Sequence, residues 1–320
     1  MPRYEIIHDT CYRYDSPVLL SQQIAHLRPR VLERQTLLAH ALTITPAPST
    51  LHERTDFLGN PVSQFSLHTP HRTLAVRACS RVQVAPQAVL QQAREHPTLP
   101  WEQARDQLRD GLSGHAALQA EAREAGQYRF ASPFVPLGEE AVVYAAYASG
   151  SFTAGRPLLE ALLALCSQIH ADFSFDPAAT GVATPVAQVF AERRGVCQDF
   201  SHLMIACLRA LGLAARYVSG YLLTEPPPGQ PRLIGADASH AWVSVWCPGL
   251  GWVDVDPTND LRPDEAHITL AWGRDYGDVC PLRGVILGGS GHAVEVAVTV
   301  MPLDEEAPGA PEEGANGVGD

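Results

Sequence analysis

The hydrophobic positions between Phe200 and Leu211 follow the period of a helix. Apolar residues recur there at i, i+3, i+4 and i+7, which is the spacing of a helix that buries one face. Gly212 comes next, at a position where a glycine commonly ends a helix. The pattern therefore predicts a core-packed helix with the buried stripe Phe200, Leu203, Met204, Cys207, Leu208 and Leu211.

Residues 239–256 show the period-two pattern of a β-hairpin. Two alternating stretches, the first rich in aromatic residues, flank the turn sequence Cys247-Pro248-Gly249-Leu250-Gly251. Directly opposed residues of an antiparallel pair point to the same face, so His240 and Asp256 share a face in an even register. The hairpin thus predicts a histidine and an aspartate side by side, and Asp254 competes with Asp256 for that place.

The remaining patterns divide the chain into four parts. Residues 1–88 predict a β-rich, sandwich-like domain, because short alternating stretches are separated by turn residues. Residues 89–150 predict a helical connector. Residues 151–303 predict a core domain that begins with a helical stripe and ends with an alternating strand over 292–300. Residues 304–320, acidic and rich in Gly and Pro, predict a disordered tail.

Within the first part, the turn residues Asp15-Ser16-Pro17 predict a break in the chain's first β-structure. The candidate strands there are Arg3–His8, Leu42–Thr45, Val62–Leu67 and Thr73–Val84.

Cys197 lies at the predicted start of the helix that carries the stripe. Free N–H groups and the positive end of the helix dipole favour a thiolate at such a position, and a thiolate is the form of cysteine that attacks carbonyl carbons. Cys197 is therefore a candidate nucleophile. Cys166 and Cys207 fall on buried helical stripes instead, and we predict that they are unreactive core residues.

The order of Cys197, His240 in Ser-His-Ala-Trp and Asp256 in Gly-Trp-Val-Asp-Val-Asp-Pro-Thr resembles the transglutaminase-like superfamily. Three stretches near the N-terminus, 4–14, 27–30 and 56–60, resemble the N-terminal domain of bacterial transglutaminase-like proteins. His267-Ile268 and 273–279 resemble the segment that follows the core there. The resemblance implies an α+β fold: an N-terminal β-sandwich-like domain, a helical connector, and a papain/transglutaminase-like core whose nucleophile helix packs on an antiparallel sheet.

The resemblance also implies roles for three residues. Cys197 would attack a carboxamide carbon, His240 would take and return the proton, and Asp256 would hold the Nδ1–H of His240, so that Nε2 faces the sulfur. Asp256 is preferred to Asp254 because it precedes Pro-Thr, as the family's third residue does. Candidates for a supporting role are Asp199, Gln198 and Trp242, and for Asp199 a purely structural role at the helix start is an equal alternative.

The same triad serves two reactions, so the sequence leaves the acceptor open. A thioester resolved by water makes a cysteine peptidase or amidase, and one resolved by a lysine amine makes a transglutaminase. We favour hydrolysis of a peptide or isopeptide amide, because no acid-rich loop resembles the calcium sites of animal transglutaminases. A non-catalytic peptide-binding protein on the same fold is a third, weaker hypothesis.

Composition excludes several other classes of protein. A hydrophobic content of 46% with 18% charged residues is ordinary for a globular protein, and no apolar run reaches the length of a membrane span. The net charge of −12 argues against nucleic-acid binding. Seven scattered cysteines without paired spacing favour a reducing, cytoplasmic setting over disulfides or zinc.

We predict no cofactor and no metal. A metal site formed by His68 and His71 was considered, but these residues are better explained as the polar tip of a hairpin. The oligomeric state is left open.

Overall fold

A computed structural model describes residues 1–86, 98–110, 116–224 and 239–303. The predicted acidic tail (304–320), the Gly- and Pro-rich loop from Glu225 to Pro231 and the start of the predicted connector (89–97) lie outside the described residues.

The described chain begins and ends with β-strands. Its central part contains most of the helices, followed by the strands of the core sheet. The strands are β1 (Arg3–Ala25), β2 (Gln35–Thr45), β3 (Thr50–Thr55), β4 (Pro61–Leu67), β5 (His71–Val84), β6 (Ser174–Phe175), β7 (Arg194–Gly195), β8 (Ala215–Leu222), β9 (Ser239–Cys247), β10 (Gly251–Val255), β11 (His267–Gly273), β12 (Leu282–Gly288) and β13 (His292–Leu303). The α-helices are α1 (Trp101–Asp110), α2 (Ala116–Gly126), α3 (Ala141–Ala148), α4 (Leu158–Asp172), α5 (Val186–Glu192), α6 (Cys197–Ala210) and α7 (Tyr276–Val279), and a 3₁₀ turn spans Gln127–Arg129.

The N-terminal domain is β-rich, as predicted, and its strands form one curled sheet in the order β2-β5-β1-β4-β3. Strand β1 does not stop at the predicted turn. It continues to Ala25, and its pairing with β5 shifts register between Arg13 and Val18. The predicted turn residues therefore lie in a β-bulge, which bends a strand without ending it.

The C-terminal strands also belong to this sheet, which corrects the predicted domain division. β12 pairs with the second half of β1, and β13 pairs with the first half, from Arg3 opposite Leu303 to Tyr14 opposite His292. From the sequence, the last strand was predicted to belong to the core domain. The strand instead covers a length of β1 that would otherwise be an open edge with unpaired backbone groups.

The core has the predicted architecture of a helix packed on an antiparallel sheet. The strands follow the order β10-β9-β8-β11, and α6 packs on β8 and β9. Helix α6 begins at Cys197 and is capped at Leu211, and Gly212 follows with φ of 82°. That left-handed conformation is the one that favours glycine after a helix. All six residues of the predicted stripe lie on or just after this helix, and five of them are fully buried.

A buried arginine fixes the C-terminal end of α6. The Arg209 guanidinium donates to the carbonyl oxygens of Tyr128, Ala215 and Arg274 and to the hydroxyl of Ser132, at 2.6–3.0 Å. Burial lowers the pKa of Arg209 to about 10. The side chain thus joins the connector, the start of β8 and the segment after β11 to the helix that begins at Cys197.

Two buried side-chain amides attach the N-terminal domain to the core. Gln35 donates to the Thr269 carbonyl and accepts from the Thr269 N–H, both at 2.8 Å, and Asn60 makes the same pair of bonds with Trp272 at 2.9 Å. Both amides are fully buried. Because β11 is the edge strand of the core sheet, these bonds satisfy backbone groups at its open edge. Within the described ranges, every helix is too short or too polar to cross a bilayer.

Candidate active site

Cys197 is the first residue of α6. Val196 precedes it in an extended conformation as the N-cap residue, and the Cys197 side chain is partly exposed. The first turn is held by Asp199, whose carboxylate accepts from the Val196 N–H at 2.8 Å and from the Thr180 hydroxyl at 2.6 Å. A rigid helix start therefore presents the sulfur at the end of the helix where backbone N–H groups are free.

His240 and Asp256 meet as the hairpin parity predicted. β9 and β10 pair in the even register, with Ser244 opposite Asp254 and Val243 opposite Val255. His240 Nε2 lies 2.7 Å from Asp256 Oδ2. His240 is 9% exposed and Asp256 is fully buried, so this ion pair is largely removed from water.

The charge state of this pair follows from its contacts. Burial alone would lower the pKa of His240, but hydrogen bonds with Asp256 and with Cys197 outweigh it and raise the pKa to about 10. Burial would likewise raise the pKa of Asp256, but hydrogen bonds from His240, His267 and Asn259 hold it well below its usual range. At neutral pH the pair is therefore an imidazolium and a carboxylate.

The ring nitrogens of His240 are used in the opposite sense to that expected from the sequence. Nε2, not Nδ1, contacts Asp256, so Nδ1 is the nitrogen left for Cys197. The register determines which residues share a face of the sheet, whereas the side-chain rotamer determines which nitrogen reaches which partner. The strand register therefore does not determine which ring nitrogen contacts Asp256.

The contacts of Asp199 and Gln198 are accounted for by a structural role and require no part in catalysis. Asp199 is 3% exposed, and its carboxylate lies so close to Gly195 that a Cβ there would be 2.7 Å from Oδ2. Gln198 donates to the Val182 carbonyl at 2.9 Å and lines the cleft beside Cys197. The structure therefore favours the structural alternative for Asp199, whose hydrogen bonds organise the helix start.

Trp242 supports His240 from within the core. It is fully buried, its ring centroid lies 6.1 Å from that of His240, and it meets the His267 ring edge-on at 5.2 Å. The indole therefore acts through packing, by restricting the position of both imidazole rings.

Three further contacts of Asp256 were not predicted from the sequence. Oδ2, the oxygen that contacts His240, also accepts from the Asn259 side chain at 2.8 Å and lies 3.4 Å from His267 Nε2. Oδ1 accepts from the Thr258 N–H at 2.9 Å. Asn259, three residues after Asp256, could have been found as a local turn partner. His267 lies on β11, and no local pattern connects it with the hairpin.

We expect His267 to act as a positioning residue for Asp256. Replacing it by Phe keeps the ring volume and removes one donor, so kcat should fall about tenfold, a cost of about 1.4 kcal/mol in the barrier, while KM stays unchanged. His267→Gln keeps an N–H near Oδ2 and should restore most of the rate. Steady-state kinetics of both variants, with thermal unfolding to check folding, measure this. If His267→Phe keeps the rate and His267→Gln loses it, His267 only fills space.

Asp254 does not take part in this group. Its carboxylate lies 3.5 Å from the Arg34 guanidinium, which comes from the N-terminal domain. Asp254 and Asp256 are two residues apart and point to the same face of the sheet. Asp254 nevertheless contacts Arg34, whereas Asp256 contacts His240. Asp256 is therefore the acid that the geometry places at His240.

One cluster of side chains has the spacing of a metal site, and it consists of His240, Asp256 and His267. Their ligand atoms lie within 4.8 Å of one another, in the part of the chain that the structure describes. Both histidines direct Nε2 at one carboxylate oxygen, which is the geometry of two hydrogen bonds to a shared acceptor. The hydrogen bonds explain this cluster without a metal ion, and the absence of a bound metal remains a prediction from the sequence. His71 is bonded within its own turn, where its Nδ1–H donates to the Thr69 carbonyl oxygen at 2.8 Å.

The other core cysteines differ from Cys197 in exposure. Cys166, Cys207 and Cys247 are buried, and burial raises the pKa of each thiol, that of Cys247 to about 12. All seven cysteines are unpaired. The predicted core location of Cys166 and Cys207 agrees with their burial of 99% or more.

Cys197 and His240 open into a cleft of about 430 Å³ between the core and the N-terminal sheet. This volume is in the usual range for ligand sites. The core contributes Val182, Val196, Gln198, Tyr217, Ser219, Ser239, Ala241, Tyr276, Cys280 and Pro281, and the sheet contributes His8, Thr10, Tyr12, Leu282, Val294 and Val296.

Comparison with protein families gives two matches. Residues 4–83 match the bacterial transglutaminase-like N-terminal region, and residues 145–257 match the transglutaminase-like superfamily core. The second match contains Cys197, His240 and Asp256.

Individual relatives extend this similarity. An uncharacterized protein of Mycobacterium tuberculosis is 43% identical over 310 residues, covering 95% of this chain and 94% of its own. A protein-glutamine gamma-glutamyltransferase of Pseudomonas aeruginosa is 36% identical over 110 residues, covering 34% of this chain and 16% of its own. A crystal structure from Cytophaga hutchinsonii, provisionally described as a cysteine protease, superimposes with a TM-score of 0.71 at 21% identity, covering 96% of this chain and 92% of its own.

Proposed function

The chain belongs to the transglutaminase-like superfamily, and from its site geometry we propose that it is a thiol-dependent acyl-transfer enzyme acting on an amide. Superfamily membership supports a thiol-dependent enzyme with a protein or peptide substrate. The observation that carries the specific proposal is the arrangement around His240: Asp256 lies 2.7 Å from Nε2, and Cys197, at a helix N-terminus, lines the same cleft as His240.

The proposed reaction has two steps, formation of a thioester on Cys197 and its hydrolysis. In the first step, Cys197, His240 and Asp256 each have a separate role. The Cys197 sulfur attacks the carboxamide carbon, and the new C–S bond forms as the carbonyl becomes an oxyanion. In this proposal, backbone N–H groups at the start of α6 stabilise that charge. The His240 imidazolium gives its proton to the departing amine, and the C–N bond breaks to leave a thioester. Asp256 keeps the imidazole oriented and its positive charge compensated.

We propose water as the acceptor that resolves the thioester. His240, neutral after giving up its proton, takes a proton from water, which attacks the thioester and frees the carboxylic acid and Cys197. The product is that of a cysteine peptidase or amidase. Transfer to a primary amine is the second candidate, which is favoured by the similarity of 110 residues to the Pseudomonas aeruginosa glutamyltransferase.

Product analysis distinguishes the two candidates. We expect the enzyme, mixed with peptides that contain backbone and glutamine amides, to yield hydrolysed products by mass spectrometry. Adding methylamine should leave those products dominant. A methylamide at glutamine would instead identify the transferase, and the Cys197→Ala variant serves as the control for uncatalysed change. If neither product forms with any peptide in a diverse library, the proposal of acyl transfer at a peptide amide is wrong.

A further inference from the structure

The cleft at Cys197 has one wall that comes from the other domain. Tyr12 on β1 stands directly opposite Val294 on β13, and Thr10 stands opposite Val296. Opposed residues of an antiparallel pair direct their side chains to the same face, so these four form one continuous surface beside the nucleophile. The N-terminal sheet therefore supplies part of the substrate site itself.

The outer part of this wall is apolar and exposed to solvent. Val294 is 50% exposed and Val296 is 56% exposed, although both are β-branched hydrophobic residues that line a cleft. Leu282 and Pro281 are further apolar residues in the lining of the same cleft. Exposed apolar side chains that are continuous with a reactive group mark a surface that a ligand covers.

The described lining of the cleft contains no Asp, Glu, Lys or Arg. His8, which also lines it, is 1% exposed, with Nδ1 2.9 Å from the Tyr221 hydroxyl and Nε2 3.2 Å from the Thr10 hydroxyl. Burial lowers the pKa of His8 to about 4, so it is uncharged at neutral pH. The charge of the other histidine in the lining, His240, is compensated by Asp256 at 2.7 Å. A charged substrate side chain would therefore lose its water here without gaining an uncompensated ionic partner from these residues, which is unfavourable.

We propose that the substrate is a polypeptide that places an uncharged apolar or aromatic side chain, next to the scissile amide, against Tyr12, Val294 and Val296. The inference rests on the proposed function and names the substrate class of that same site. It gives the N-terminal sheet the role of a specificity wall, while the core supplies the reacting groups.

Three N-acetyl amino-acid chloromethyl ketones, made from phenylalanine, lysine and aspartate, test this directly. The Cys197 sulfur displaces chloride in each case, so the rate of alkylation reports how well the side chain fits. We expect the phenylalanine reagent to alkylate Cys197 about 10–100-fold faster than the other two, as measured by mass spectrometry. Iodoacetamide, which has no side chain, measures the reactivity of the sulfur alone.

Val296→Asp provides the matched variant, because it puts a carboxylate into the wall at an exposed position. It should remove most of the preference for phenylalanine and increase the rate with the lysine reagent at least about threefold. Val285→Asp is the control. Val285 is 73% exposed on β12 of the same sheet and lies outside the cleft, so its replacement should leave all three rates unchanged.

The outcomes separate this inference from the proposed function. If iodoacetamide alkylates Cys197 but the three ketones react at equal rates, the inference is overturned and the nucleophile stands. The same holds if Val296→Asp and Val285→Asp behave alike. If no reagent alkylates Cys197 in the folded protein, the proposed function fails and the substrate class falls with it.

Discussion

Cys197→Ala should abolish activity while leaving the fold intact. Without the sulfur no thioester can form, and removal of a nucleophile that works within a triad costs on the order of 10⁴-fold or more in kcat. The Cys197 side chain is partly exposed at a helix start, so its loss removes little packing. Turnover of an amide substrate, together with the melting temperature of the variant, measures both expectations.

Cys207→Ala is the matched control for this experiment. Cys207 is fully buried on the same helix, so its truncation should lower the free energy of unfolding by about 1–2 kcal/mol and spare kcat. Iodoacetamide should label Cys197 before Cys166 or Cys207 in the native protein, because both of those thiols are buried with raised pKa values. Faster labelling of either one would show that the nucleophile has been misassigned.

Asp256→Asn should lower kcat by roughly 10–10³, about 1.4–4 kcal/mol of barrier. The asparagine keeps the shape but can present an N–H to Nε2, which moves the imidazole proton to Nδ1, the nitrogen that serves Cys197. Asp254→Asn should change kcat less than about tenfold, because Asp254 contacts Arg34 instead of His240. If Asp254→Asn were the more damaging change, the triad acid would be Asp254.

The pH–rate profile of Asp256→Asn gives an independent readout. In the native protein the raised pKa keeps His240 an imidazolium up to about pH 10. Removing the carboxylate takes away a group that favours the charged form, so the pKa of His240 falls. The basic limb of the profile should therefore move to lower pH. A basic limb that stays in place would mean that another group sets it.

The residues that the sequence predicted best are those whose neighbours are close along the chain. The stripe from Phe200 to Leu211 fixes a helix, because a helix places residues three and four apart on one face. The hairpin parity fixes His240 and Asp256 on one face of the sheet, because side chains alternate along strands. Together with the position of Cys197 at the helix start, these local rules named Cys197 and His240 and left Asp254 and Asp256 as alternatives, and the family resemblance chose Asp256.

The sequence by itself determined which elements form and which face each candidate residue occupies, since both follow from periods of 3.6 and 2 that are read locally. Only the tertiary structure decided which distant side chains and strands contact the candidate residues. The pairing of β13 with β1, the approach of His267 to Asp256 and the choice of ring nitrogen in His240 each depend on contacts between distant segments or on a rotamer. No period of the sequence encodes such contacts, because they are set by how whole domains pack. The apolar wall of the cleft belongs to the same class, for it exists where the two ends of the chain meet beside Cys197.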